Sequence, residues 1–148
     1  MYNVILGAHN IVRWLVLVAA IWAMIRAYSG WLGARSWTPA DKQAGFFFTT
    51  AFDTQLLIGI ILIVVSPLTH AAVANPAAIM STDMLRFFIA EHIPLMVLAL
   101  IVVHVTSVLA QRAPEDPGKF KRSALGYTLA LVMVAVAIPW WRPLFPGL

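Results

Sequence analysis

The chain has no cysteine, which excludes disulfides, iron–sulfur clusters and thiolate metal sites. Charge is scarce, at 11% of residues, and no long hydrophilic stretch exists, so a second, polar domain does not fit. No Lys or Arg precedes the first apolar run, and no small-residue cleavage site follows it at the usual distance. That run is therefore expected to stay in the chain, not to leave as a signal peptide. The stretch "SPLTHAAVANPAAIMSTDM" carries no Lys or Arg at all. The formal charge of +4 is spread over segments between apolar runs, which argues against a nucleic-acid surface and for a membrane-orientation signal.

What is abundant is apolar surface. Hydrophobic residues make up 61% of the 148, against roughly 45–50% in soluble domains. Four runs approach the roughly 20 apolar residues needed to cross a bilayer. They cover about 2–25, 46–66, 84–110 and 124–140, and together they predict a single transmembrane domain. Lipid offers no partner to backbone polar groups, so these runs are expected to be helices. Short connections favour an all-α, integral membrane four-helix bundle of up-down-up-down topology. Arg26, Arg35 and Lys42 follow the first run, and Arg112, Lys119, Lys121 and Arg122 follow the third. Only Arg86 and Arg142 border the opposite side. Both termini are therefore expected outside, with Trp140 and Trp141 as an interfacial anchor.

Ionisable groups inside a span are costly and mark functional positions. There are six: His9 and Arg13 in the first span, Asp53 in the second, and Glu91, His92 and His104 in the third. At about 1.5 Å per residue, His9 lies roughly 10 Å from the outer end of its helix and His92 roughly 12 Å from the outer end of its own. Two imidazoles thus reach one level from helices that sit diagonally in an up-down bundle. A flat cofactor gripped from both faces, haem b, suits this arrangement, and no CxxCH is present for a covalent c-type link. Arg13 and Arg86 are the candidate cations for the haem propionates. Arg13 also has a plainer reading, since it could simply pair with Glu91 or extend toward the interface. Glu91 is a candidate acceptor for an imidazole N–H, most plausibly that of His9. Asp53 and His104 match in depth nearer the inner side and form a candidate proton-handling or quinone site, or a structural ion pair. Pro94 is expected to kink the third helix beside His92. His70 receives no role.

The segments "HNIVRW" (9–14), "FDTQLLIG" (52–59) and "RFFIAEH" (86–92) resemble small bacterial four-helix membrane proteins labelled "cytochrome B". The likeness runs over nearly the whole chain, including "DKQAG" and "IPW", and is more specific at HxxxRW and EH than elsewhere. It implies a b-type haem protein of electron transfer in the bacterial inner membrane, with His9 and His92 as axial ligands of one haem near the periplasmic face. It departs at Asp53, where the family pattern has a histidine, so any ligand role of that position does not carry over. The expected partners are the lipid bilayer, a homo-oligomer or larger redox complex of the respiratory chain, and a quinone. A redox carrier or subunit is expected more than an independent enzyme, because little of the chain is left for catalytic apparatus. A different class of reading is an accessory subunit of a respiratory or photosynthetic complex, structural or pigment-binding, with the polar-free fourth helix as its partner face.

Overall fold

The computed structural model describes residues 1–142. It is an all-α four-helix bundle. The four long helices are α1 (Tyr2–Leu32), α2 (Pro39–Val65), a third that ends in α6 (Ile93–Gln111), and α7 (Asp116–Ala137). Between α2 and α6 the chain forms three short helices, α3 (Pro67–Ala74), α4 (Ala78–Ser81) and α5 (Asp83–Leu85), then a π-helical stretch, Arg86–His92, that runs straight into α6. All four long helices are apolar and long enough to cross a membrane. α1 packs along α2 and α7, and α6 packs along α7. α2 and α6 also meet, but least closely, while α1 and α6 stand on the diagonal.

The bundle is held by close backbone approach. Its buried positions are dominated by small residues such as Ala20, Ala23, Ala44, Ala99, Ala124 and Ala130. Between apolar helices in lipid there is little hydrophobic gain from burial, so shape-matched small residues carry the packing. Gly126 on α7 is the tightest case, because a Cβ there would overlap the Thr106 side chain of α6. Gly126→Val is expected to destabilise the bundle by about 1–3 kcal/mol, read as a lower thermal midpoint of the detergent-solubilised protein.

The long helices overrun the apolar stretches at the basic end of the bundle. α1 continues to Leu32 and α2 begins at Pro39, because this end has its own polar scaffold. The Asp41 carboxylate is buried and accepts from Arg26 Nε at 2.8 Å, from Thr38 Oγ1 at 2.6 Å and from the Thr38 N–H at 2.8 Å. Asp116 accepts from the Trp37 N–H and from Lys119, both at 2.8 Å. Arg122 donates to the Leu109 carbonyl at 2.7 Å, meeting one of the free acceptors at the end of α6. Several of the basic residues that predict orientation therefore also tie the connecting segments together. At the other end α7 stops at Ala137, short of the expected 140, because Pro139 disfavours a helical residue before it. Trp140 donates from its indole to the Ala135 carbonyl at 2.8 Å.

Candidate functional site

Near the end of the bundle that holds the N-terminus lies a cavity of about 350 Å³. From α1, Leu6, His9, Asn10, Arg13 and Val16 line it, a spacing of three and four residues that follows one helical face. From α2 come Phe52, Gln55, Leu56, Gly59, Ile60 and Ile63, again a single stripe. Phe88, His92 and Met96 complete the opposite wall, and Ile138 and Arg142 close it beyond α7. Its size falls in the range of small-molecule and cofactor sites, and its wall is mostly apolar with a few polar groups.

His9 and His92 meet across this cavity, as their matched depths predict. Their ring centres are 6.4 Å apart, with 65° between the ring planes. The π-helical stretch bears on where His92 points. The Ile93 N–H reaches back to the Phe88 carbonyl, five residues away, and Pro94, two residues after His92, has no N–H to give. The expected proline kink is thus expressed as a widened turn, the kind of helix defect often found at functional sites. His92 Nδ1 lies 2.7 Å from the Ala137 carbonyl. A carbonyl only accepts, so Nδ1 carries the hydrogen and Nε2 carries the lone pair. That carbonyl is available because α7 ends there. Phe87 and Phe88 pack around the His92 ring, with centroids at 6.1 and 5.8 Å.

Arg13 is 7% exposed and pairs with no carboxylate among the described residues. Its guanidinium lies over the Trp14 ring at 5.6 Å. Among the described residues, the buried side-chain polar atoms without a hydrogen-bond partner are His9 Nδ1, Arg13 Nε, Gln55 Oε1 and Ser123 Oγ. The first three belong to residues that line this one cavity. Such groups are uncommon, and each demands an explanation. Gly59 faces His9 directly: a Cβ there would stand 3.5 Å from His9 Cε1. The Gln55 amide donates to the His9 carbonyl at 3.0 Å, fixing α1 against α2 at this level.

The remaining candidates fall elsewhere. Glu91 does not reach Arg13 or His9. It is exposed and accepts from Arg86 Nε at 3.2 Å, and Arg86 also contacts Asp83 at 3.2 Å. Both side chains stand outside the cavity wall, since at about 100° per residue neither Glu91, adjacent to His92, nor Arg86, six residues before it, shares the His92 face. Arg142, read from sequence only as a flanking charge, is the second cation of the cavity wall; it lies over Phe88 at 4.5 Å. Asp53 and His104 do pair, with Oδ1 to Nε2 at 2.7 Å, but on the outer surface between α2 and α6. His70 is exposed and bonds through Nε2 to the Val64 carbonyl at 2.8 Å, serving the end of α2. Asn10, Gln55 and Gly59 were missed by counting ionisable groups; amides and a glycine within apolar spans were the available signal. Among the described residues no three His, Asp or Glu side chains converge as a metal centre; what assembles is an imidazole pair.

Compared with known protein families, characterised proteins and solved structures, the chain matches none.

The spacing of the two imidazole centres is compatible with one iron porphyrin between them. Two metal–nitrogen bonds of about 2 Å, plus about 1 Å from each nitrogen to its ring centre, span about 6 Å. Two ring planes can share a common axis at any angle between them. The apolar wall suits a macrocycle, and the buried Arg13 guanidinium suits a carboxylate.

Proposed function

We propose that the protein is a membrane b-type cytochrome, carrying electrons through one haem held between His9 and His92. The observation that carries this reading is the imidazole pair 6.4 Å apart in a mostly apolar cavity, three of whose lining residues each keep a buried polar atom without a hydrogen-bond partner. When bound, the haem supplies a one-electron couple at its iron. The chain's own part is ligation, charge and exclusion of water. His92 presents an Nε2 lone pair because Ala137 holds the hydrogen on Nδ1. His9 is held in place through the Gln55 bond to its own carbonyl. Arg13 offsets propionate charge from within the bundle and Arg142 does so from the cavity's outer rim, the role expected of Arg86. Phe87 and Phe88 shield the His92 side from solvent.

Four apolar helices and the resemblance support a place in the bacterial inner membrane, and the distribution of Lys and Arg supports both termini and the cavity on the periplasmic side. The absence of cysteine makes this directly measurable. A Cys introduced at Asn75 is expected to label with an impermeant maleimide in intact spheroplasts, and one at Ser36 only after permeabilisation. The reverse pattern contradicts the orientation.

The protein acts as a carrier or subunit within a larger redox assembly, not as an independent enzyme. A difference spectrum of the purified protein, dithionite-reduced minus oxidised, tests the function. A sharp α band and a Soret shift are expected. A featureless spectrum after expression with ample haem supply contradicts it, and chlorin bands would mark a pigment-binding accessory subunit.

A further inference from the structure

Asp53 and His104 are joined by a 2.7 Å hydrogen bond, yet their side chains are 46% and 48% exposed. They sit within two of the most apolar helices of the bundle, where an exposed polar pair faces acyl chains at considerable cost. Around them the outward surface is apolar, as at Leu57, Ile101 and Val105. The pair bridges α2 and α6, the two neighbouring helices that meet least closely.

The cavity opens on the same seam. Ile60 on α2 and Val97 on α6 line the cavity from within and are also exposed on the outer surface. Ile60 is seven residues after Asp53, and Val97 is seven residues before His104. Seven residues are two helical turns, so each falls on the same face as its polar neighbour, about 10 Å along the helix. Dyad and opening therefore lie on one lipid-facing groove.

We infer that this groove binds the hydroxylated ring of a lipid-soluble quinol, with Asp53 and His104 receiving its hydroxyl. Asp53 Oδ1 is engaged by His104, which leaves Oδ2 to accept an O–H donor. With Nε2–H donating to Asp53, His104 Nδ1 is a second acceptor. A ligand for this place must be apolar enough to arrive through the bilayer and must carry O–H groups at one end, and the isoprenoid-tailed quinols combine both. A soluble donor has no route to a site midway along two apolar helices. The inference rests on the reading of the protein as a membrane redox carrier and names its electron-donor class. The approach to the cavity opening, two turns away, is what connects the two sites.

The test uses the full-length protein in lipid nanodiscs, with decyl-benzoquinol as the probe, kept reduced. Saturable binding of one probe per chain is expected, with affinity lowered about tenfold or more in Asp53→Asn and in His104→Gln. Both variants are expected to keep the haem difference spectrum of the parent, which shows that they fold and separates this site from the imidazole pair. Wild-type protein that shows the haem spectrum but no saturable probe binding overturns the quinol site alone. Equal binding in parent and variants overturns it as well. So does a stable dimer that excludes the probe and is split by Asp53→Asn, since the dyad would then face a second copy of the chain. A wild-type sample with no haem band but saturable binding counts against the haem reading, not against this groove.

Discussion

His92→Ala is expected to lower haem occupancy at least tenfold and to abolish the sharp reduced α band, and His9→Ala is expected to do the same. The two rings stand 6.4 Å apart across one cavity, so neither has a substitute: no other described imidazole lines that wall. Loss of either ring leaves at most one axial ligand and an open coordination position. Any residual pigment should then be high-spin. His70→Ala is the internal control, because His70 is exposed and serves only the end of α2. Adding imidazole to His92→Gly should restore part of the low-spin signal, which separates lost ligation from lost folding. Equal spectra in all three alanine variants would remove the ligand assignment.

Arg13→Leu is expected to act with opposite signs on the empty and the loaded protein. Arg13 is 7% exposed with no carboxylate partner among the described residues. A buried charge without compensation is destabilising, so the shorter, apolar leucine should raise the thermal midpoint of the haem-free form. Haem-loaded protein should lose affinity by about tenfold to a hundredfold, since a charge-assisted hydrogen bond to a carboxylate contributes about 1.5–3 kcal/mol. Removing a positive charge also favours the ferric state. The midpoint potential should therefore fall by tens of millivolts, because a tenfold bias between the two states of a one-electron couple is about 59 mV. A variant equally stabilised with and without haem would mean that Arg13 is a structural residue only.

The sequence made the bundle legible because membrane helices announce themselves through run length alone. Depth counting at 1.5 Å per residue was enough to bring His9 and His92 to one level, and the diagonal placement of their helices followed from topology. Direction around a helix was less legible. Glu91 adjoins His92 and Arg86 lies six residues before it, so at about 100° per residue neither falls on the His92 face, and nothing in single-residue periodicity signals where a π turn falls. Asp53 and His104 matched in depth and do pair, yet their placement on the outside required knowing which two helices stand apart. The helix ends were misjudged because hydropathy marks where apolar residues stop. The Asp41 and Asp116 scaffolds extend helical structure past that point. Gln55 and Gly59 act through a backbone bond and through open space, neither of which a search for charges detects.

The most direct test is a hemin titration of haem-free protein in detergent, followed by electron paramagnetic resonance of the product. Saturation at one hemin per chain and a purely low-spin ferric spectrum, absent from the His9→Ala/His92→Ala double variant, is the predicted result. Uptake that never saturates, or an identical spectrum from the double variant, would show that iron does not sit between these two rings.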